Sequence, residues 1–389
     1  MGLRPGSNDM RGPVRSARLG ILILGLAGIT ARAAAQGKPD QPVNLGPSGD
    51  VEPITGENEH PLSISGFGVG GYTYDGRTND NSFAAGKVAV ALFRELTDNV
   101  YVFGQLTTSL SDEGGGEPAT ETEIDNLLVS FTPKSATNLN LTLGTLDAPL
   151  GFERDDEVLL LTPTTSFNFE LGRPAKLTGL FGVWNLNRKV DLTGLVANGW
   201  DSPLDPNHGK TVGARLGVLP AERASLGVSA LYGSEGEAGE TNDRLLLDAD
   251  YAFEPGLGWI VAGEANYAKD YDLPDGSDAR WSGAMLLVHR RVAPHWGVAA
   301  RAEVFDDTDG ARTGQAQTLT SWTIAPIYSI GVGREGIFAN IQHTTYRIPR
   351  FQLRGELRLN HSNVPFFETS EGDLSKWGVQ YTLQLVTTF

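Results

Sequence analysis

The chain has 389 residues, no cysteine, and 47 acidic against 31 basic side chains, which gives a formal net charge of −16. This acidity argues against nucleic-acid binding, which requires a basic face, and the absence of cysteine excludes a disulfide-stabilised scaffold. After residue 35 there is no run of roughly 18 consecutive apolar residues, the length that crosses a bilayer as a helix.

The N-terminal segment has the parts of a secretory signal peptide. Arginines precede an apolar run over Leu19–Ile29, and Ala33–Ala35 follow it. The run is too short to span a bilayer, so we expect a signal peptide over 1–35, with a short buried helix as the alternative. Met10 is an alternative start, because basic and apolar residues lie beyond it. Removal of the peptide takes the net charge to −20, and residues 36–61 are predicted to form a flexible periplasmic leader.

From residue 62 to residue 389, polar and apolar side chains alternate with the period of β-strands, and no linker divides the chain. The alternation predicts an all-β protein, a transmembrane antiparallel up-and-down β-barrel with an even number of strands. Sixteen segments fit: 62–75, 83–94, 100–110, 123–132, 139–146, 176–186, 189–199, 210–218, 224–233, 243–253, 258–268, 280–290, 296–305, 318–330, 350–361 and 376–389.

The connections between these segments alternate in length. Short turns such as Leu96–Asn99 follow the even-numbered strands, and longer acidic loops such as Lys269–Ala279 follow most odd-numbered ones. Short periplasmic turns and long outer loops are typical of outer-membrane barrels. Gly331–Pro349 departs from this pattern, since it is long where a short turn is expected. It contains the strand-like Ile341–Arg347, so it is either a periplasmic excursion or a hairpin that would make eighteen strands.

Several strands carry charged side chains on one face and apolar side chains on the other. A charge facing lipid near the bilayer midplane costs roughly 2–4 kcal/mol for Arg or Lys, so the charged face is predicted to line a lumen. A slip of one residue in the strand register would turn this charged face toward lipid. Because the charges have both signs, they would create a transverse electric field in the pore. The alternative is that they are wall residues paired in salt bridges. The predicted pore-lining residues are Asp248, Asp250, Glu264, Arg301, Glu303, Arg354, Glu356 and Arg358.

Aromatic residues mark the ends of the predicted strands. Trp259, Trp281, Trp296 and Trp377 each stand near the start of one. Because an indole ring favours the headgroup region, these four are predicted to form a membrane girdle, with burial in a core as the alternative.

The last segment alternates up to the terminal Phe389, with Val386 the one apolar residue on its polar face. This pattern is typical of the terminal strand of an outer-membrane barrel, although an edge strand of a β-sandwich alternates in the same way. The outward residues that would form a signal for the barrel-assembly machinery are Tyr381, Leu383, Leu385 and Phe389.

The longest loop, Asp147–Ala175, combines an acidic tip, Asp155, Asp156 and Glu157, with the apolar run Val158–Leu161. One hypothesis is that it folds into the lumen as a constriction, with its leucines on the wall and its acids facing the channel. The alternative is an outer loop packed on its neighbours or on a second subunit.

Signals of an enzyme or a metal site are weak, and we predict no enzymatic activity, no cofactor and no metal. The six histidines have no ligand spacing. Asp307–Gly310 and Asp272–Asp278 are only faintly like calcium loops, because neither has the full ligand series. Aspartates that form turns explain both segments better.

A family resemblance follows from four motifs, Gly144–Phe152, Asn198–Asp201, Asp205–Thr211 and Arg354–Ser362, together with the final strand. Over roughly residues 60–389 they resemble the OmpL-like β-barrel porins of Gram-negative bacteria. The resemblance implies an outer-membrane location and a passive pore, and it implies no substrate. Phosphate- and carbohydrate-selective porins of sixteen or eighteen strands are nearby architectures.

These observations predict a cell outer-membrane porin that lets small hydrophilic solutes or ions diffuse through a water-filled lumen. The acidic outer loops favour a weak cation preference. The alternatives are a phosphate- or carbohydrate-selective porin, a structural or adhesive barrel, and an outer-membrane hydrolase. The expected partners are outer-membrane lipid and lipopolysaccharide, the assembly machinery and the solutes. Whether the protein forms a homotrimer is left open by the sequence, and nucleic acid is not expected as a partner.

Overall fold

The structure, a computed structural model, describes residues 62–111, 119–155, 157–236, 242–256, 258–331 and 349–389. The expected signal peptide and leader, the strand-like Ile341–Arg347 and the acidic loop residue Asp156 lie outside these residues. Within the described part, no helix is long and apolar enough to cross a membrane.

Sixteen antiparallel strands close into one barrel, and each pairs with its neighbours along the chain. This confirms the predicted fold class, and every predicted segment overlaps one strand. The barrel strands are β1 (Ser63–Asp75), β2 (Asn81–Thr97), β3 (Val100–Ser111), β4 (Ala119–Phe131), β5 (Leu139–Asp147), β6 (Lys176–Asn187), β7 (Val190–Trp200), β8 (Thr211–Ala221), β9 (Ala224–Glu235), β10 (Asn242–Gly256), β11 (Trp259–Tyr271), β12 (Ala279–Ala293), β13 (Trp296–Asp307), β14 (Gln317–Ile330), β15 (Phe351–Ser362) and β18 (Trp377–Thr388).

Two small elements lie in the connections. A helix, α1 (Phe167–Gly172), forms between β5 and β6, and two short strands, β16 (Phe367–Glu368) and β17 (Leu374–Ser375), form a two-stranded sheet between β15 and β18. None of these elements was predicted from the sequence, because each is too short to repeat a recognisable periodic pattern.

The hydrogen-bond pairing fixes the number of strands in the barrel. β14 pairs directly with β15, with Ile327 opposite Arg354, and β1 pairs with β18, with Tyr74 opposite Tyr381. No position is left between β14 and β15 for a further hairpin of the barrel. The barrel therefore has sixteen strands, and the alternative of eighteen does not hold for it.

Side chains alternate between the two faces of the wall as the sequence pattern predicts. In β10, Asp248 and Asp250 point inward and are buried, whereas Leu247 and Tyr251 point outward and are exposed. The outer wall therefore presents an apolar band and the inner wall a charged one, as expected for a barrel in lipid.

The predicted tryptophan girdle requires one correction. Trp259, Trp296 and Trp377 lie exposed on the outer surface, but Trp281 is 1 % exposed and points inward, so its assignment to the girdle was wrong. Its Nε1 donates a hydrogen bond to the carbonyl of Gly172 at 3.1 Å. The inner face of β12 carries few charges, and alternation alone therefore did not reveal the direction of this indole.

The C-terminal residue closes the seam of the barrel. The backbone of Phe389 exchanges two hydrogen bonds with that of Gly66, at 2.9 and 3.0 Å. A Cβ at position 66 would lie 2.3 Å from the ring of Phe389, so the absence of a side chain at Gly66 gives the aromatic ring its place. The terminal strand is thus joined to the first one through its last residue.

Candidate functional site

The loop between β5 and β6, residues 148–175, lies inside the barrel and is called the inner loop below. Gly151 N donates to Asp248 Oδ1 on β10 at 3.0 Å, and Arg354 Nη1 on β15 donates to the carbonyl of Glu157 at 2.6 Å. Since these strands are well separated around the wall, the inner loop spans the lumen between them. Of the two positions considered for this loop, the structure shows the interior one.

Apolar side chains of the inner loop pack against apolar patches of the inner wall. Leu161 lies in a buried cluster with Ile260 and Leu287. Val158 lies in another with Val386, the one apolar residue on the polar face of the final strand. Burial of this apolar area from water supplies a driving force for the inward position.

Arginines of the wall hold the middle of the inner loop. Arg301 Nη1 is 2.9 Å from Glu153 Oε1, and its Nη2 donates to the carbonyl of Thr165 at 2.9 Å. Arg358 Nη1 donates to the same carbonyl at 2.9 Å, and its Nη2 lies 3.2 Å from Glu303 Oε1. Such charge-assisted hydrogen bonds are stronger than neutral ones, so the loop is tightly tied to β13 and β15.

Carboxylates of the wall bind both ends of the inner loop. Glu264 accepts hydrogen bonds from the Phe152 amide at 2.5 Å and from Arg173 Nε at 2.7 Å. Glu356 accepts one from Thr164 Oγ1 at 2.7 Å. Wall charges of both signs are therefore used to position one segment across the lumen.

A hydrogen-bond network inside the loop shapes its helical turn. Ser166 caps α1, because its Oγ accepts a hydrogen bond from the Phe169 amide at 3.1 Å. Glu153 Oε2 in turn accepts from the amide and the hydroxyl of Ser166, at 2.8 and 2.5 Å. Glu153 therefore links the capped helix to Arg301, so one side chain couples the fold of the loop to the wall.

Near the loop entrance, three carboxylates share one ammonium group. Lys176 Nζ lies 2.6 Å from Asp125, 2.8 Å from Asp147 and 3.1 Å from Asp155. Within the described residues, no group of three or more histidine and carboxylate side chains is placed to hold a metal ion. The ammonium group of Lys176 therefore offsets part of the negative charge of these three acids.

The expectation that the acids of the loop tip face the channel was wrong for Glu157. This side chain is 1 % exposed, because the backbone turns it toward the wall, and both Lys87 and Arg354 interact with it electrostatically. Burial raises the pKa of Glu157 well above its ordinary value. Asp155, the other described acid of the tip, is paired with Lys176.

The structure places all eight residues predicted to line the pore on the inner wall. They are buried, and most of them contact the inner loop: Asp248, Glu264, Arg301, Glu303, Arg354, Glu356 and Arg358. Asp250 instead forms an ion pair with Arg215 on β8. Their immediate structural role is to cradle the loop, and only the tertiary structure could assign it.

A family model described as "Putative beta-barrel porin-2, OmpL-like" matches residues 61–389. The chain belongs to this porin family. Membership confirms the resemblance seen in the sequence and the outer-membrane location. No curated protein matches the sequence significantly.

Solved structures show the same fold as this OmpL-like porin. The outer-membrane channel DcaP of Acinetobacter baumannii has a TM-score of 0.62 at 11 % identity, over 87 % of this chain and 99 % of that one. An anion-selective porin from Comamonas acidovorans has 0.61 at 11 %, over 85 % and 100 %. OmpT of Vibrio cholerae in a trimer form has 0.56 at 9 %, over 85 % and 100 %. At these identities the likeness concerns the fold.

Sequence reasoning missed several residues of the site in this OmpL-like porin. Glu153, Arg173 and Lys176 hold the inner loop, yet each appears in the sequence as an ordinary charge in or beside a long loop. The wall partners of Glu153 and Arg173, Arg301 and Glu264, lie on strands far along the chain. The only available signal was the unusual length of the loop together with its mixture of apolar and charged residues.

Proposed function

We propose that this protein is a passive diffusion pore for small hydrophilic solutes, with the inner loop as its constriction. The observation that carries the proposal is a loop tied across the inside of a sixteen-stranded barrel by buried ion pairs, of which Arg301–Glu153 is central. Barrels of about sixteen strands are wide enough to enclose an aqueous channel. Family membership supports the same function.

The charge balance of the interior favours cations. Among the described residues, thirteen buried carboxylate side chains face seven buried Lys and Arg side chains, and the carboxylates remain in excess when Glu157, whose pKa is raised, is left out. An excess of negative charge along a narrow path raises the local concentration of cations and lowers that of anions. Weak cation preference is the expected outcome.

Two measurements test the proposed pore. Liposomes that contain the purified protein should swell in sugars of graded size up to a cutoff, and protein-free liposomes should not. In planar bilayers with a salt gradient, the sign of the reversal potential should indicate cation preference. Liposomes that do not swell even in the smallest sugar would contradict the proposed pore. A reversal potential that indicates anion selectivity would contradict the predicted cation preference and leave the pore itself intact.

The proposal also assigns roles in export, assembly and membrane anchoring to segments outside the pore. Residues 1–35 would direct export, residues 36–61 would form a periplasmic leader, and the outward face of β18, Tyr381, Leu383, Leu385 and Phe389, would be read by the barrel-assembly machinery. Trp259, Trp296 and Trp377 would anchor the barrel among lipid and lipopolysaccharide headgroups. A homotrimer is supported by the trimer form of one structural neighbour, and chemical cross-linking in mild detergent would test it.

A further inference from the structure

A recess of about 370 Å³ opens at the end of the barrel that carries the long loops, and it is called the mouth recess below. This volume lies within the range of pockets that bind small organic molecules. The recess is lined by Trp200, Asp201, Ser202, Pro206, Glu235, Gly236, Arg244 and Arg312. None of these residues was assigned a binding role from the sequence, and none belongs to the contacts that hold the middle of the inner loop.

Two arginines of the mouth recess lie against one pair of indole rings. Trp200 and Trp281 meet edge to face, with ring centroids 6.2 Å apart. The guanidinium of Arg244 is 4.6 Å from the centroid of Trp200, and that of Arg312 is 5.2 Å from the centroid of Trp281. The two guanidinium groups repel each other, since the charge of Arg244 lowers the pKa of Arg312, and a bound anion would offset that cost.

Only one of these two guanidinium groups has a carboxylate partner in the described part of the chain. Arg244 binds Asp270 through Nε and Nη2, at 2.5 and 2.8 Å. Arg312 uses its Nε for the carbonyl of Leu171, at 2.6 Å, and no described residue accepts a hydrogen bond from its Nη atoms. Burial and the neighbouring Arg244 lower the pKa of Arg312, and the negative charges of Asp270, Asp201 and Asp307 offset this lowering only in part.

The carboxylates of the mouth recess are already engaged by protein donors. Asp201 Oδ1 accepts hydrogen bonds from the amides of Ala175 and Lys176, at 2.9 and 2.8 Å. Glu235 accepts from the amide of Trp200 at 3.0 Å and from Thr211 Oγ1 at 2.8 Å. Both carboxylates are therefore held by protein donors, whereas the Nη atoms of Arg312 keep donors that suit an oxyanion.

The mouth recess is also joined to the constriction. Arg312 binds the carbonyl of Leu171, and Trp281 Nε1 donates to the carbonyl of Gly172, so both side chains hold the end of α1 in the inner loop. A solute in the recess would contact Arg312, which fixes this end of the loop, and Trp200, whose ring meets that of Trp281 edge to face. The recess therefore lies directly on the outer side of the constriction.

We propose that the mouth recess is a binding station for small organic solutes that carry an oxyanion, a carboxylate or a phosphate group, with Arg312 as the principal contact and Arg244 beside it. The proposal deepens the proposed pore function and rests on it, because the station would stand on the route to the inner loop. The forked donors of a guanidinium match a carboxylate or a phosphate in two-point contact. Small cations would still be favoured at the constriction itself.

Isothermal titration calorimetry on the purified full barrel in detergent tests the station without requiring conduction. Succinate and inorganic phosphate are the two charged probes, and glucose is the neutral one. Substitution Arg312→Gln should weaken binding of the tighter charged probe by about tenfold or more, the loss expected for one charge-assisted contact. Arg312→Lys keeps the positive charge but loses the paired donors of the guanidinium group, so its affinity for the probe should lie between those of wild type and Arg312→Gln. The control is Arg280→Gln, since Arg280 is an exposed rim residue 3.9 Å from Asp309.

The titrations either support the binding site at the mouth recess or contradict it. The tighter charged probe names the preferred oxyanion, and binding that is lost in Arg312→Gln but kept in Arg280→Gln supports the station. No heat above that of glucose, or equal weakening in both variants, overturns it. Thermal melting of each variant shows that the barrel is folded. Swelling of liposomes with sugars is measured in parallel, so that loss of the station with an intact pore is distinguished from failure of the pore itself.

Discussion

Arg301 on β13 and Glu153 in the inner loop form a buried ion pair, with Nη1 and Oε1 2.9 Å apart, between residues 148 positions apart in the chain. Both side chains are almost completely buried. Removal of one partner from a buried pair is costly because the other charge is left behind. This pair is therefore the most informative place to disturb the constriction.

Substitution Glu153→Gln should destabilise the barrel and loosen the inner loop. Arg301 keeps a second carboxylate, Glu303, at 3.4 Å. We therefore expect a loss of about 1.5–3 kcal/mol, the range for a hydrogen bond to a charged group, in place of the larger cost of an unpaired buried charge. Thermal melting in detergent measures the loss, and single-channel recordings should show noisier open currents. Asp275→Asn in an exposed outer loop is the control. A melting midpoint and current noise equal to those of the control would contradict the role of the pair.

Deletion of residues 153–165 should raise the single-channel conductance, because it removes the part of the inner loop that crosses the lumen. The arginines that this segment covers, Arg301 and Arg358, would then face water and increase the share of anions in the current. A deletion of similar kind in an outer loop, residues 273–277, is the control. Unchanged conductance after the inner deletion would show that this segment does not narrow the pore.

The pH dependence of stability should carry a contribution from Glu157. Burial raises its pKa in the folded protein well above the unfolded value of about 4.3. At pH values between these two pKa values, Glu157 therefore keeps a proton in the folded state that it has lost in the unfolded state. Glu157 thus costs stability at pH values above its raised pKa, and this cost disappears as the pH falls through the window toward the unfolded pKa.

Glu157→Gln removes that titration. The variant should therefore be more stable than wild type at about pH 8 and should converge toward it at about pH 4. The difference in melting temperature between the two proteins, measured in detergent across this range, isolates Glu157 from the other titrating groups. A difference that does not change with pH would contradict the enclosed position of this carboxyl group.

The seam between the first and last strands should be sensitive to one methyl group. Gly66→Ala places a Cβ 2.3 Å from the Phe389 ring and 2.5 Å from the carbonyl of Ala89, so the ring must move. Gly68→Ala is the matched control, because its Cβ would lie 3.5 Å from Thr387, an ordinary contact. We expect a loss of about 1–3 kcal/mol for the first variant alone, as for other overpacked positions. The loss of stability is measured as the temperature at which the band of the folded barrel disappears in gel electrophoresis. Equal temperatures for the two variants would contradict the close packing of Phe389 on Gly66.

The barrel itself was predictable from the sequence because its signal is local. Alternation in β10 and β15 places Asp248 or Arg354 on one face and Leu247 or Leu353 on the other within a few residues. Lipid outside and water inside make one register far more favourable than its neighbour. The order of the strands and the inward face of the charged residues follow from that periodicity and from the alternating loop lengths. The choice between sixteen and eighteen strands required the direct pairing of β14 with β15.

The arrangement of the interior was decided by the tertiary structure. The inward turn of Trp281, the enclosure of Glu157 and the joining of Arg312 to the end of α1 all depend on contacts between segments far apart in sequence. Neither residue type nor spacing encodes which wall side chain a long loop will meet. The sequence by itself determined a charged tube in an apolar envelope, because alternation is a property of neighbouring residues. Closure of the tube determined which charges meet across it, because only then do β10, β13 and β15 face the same loop.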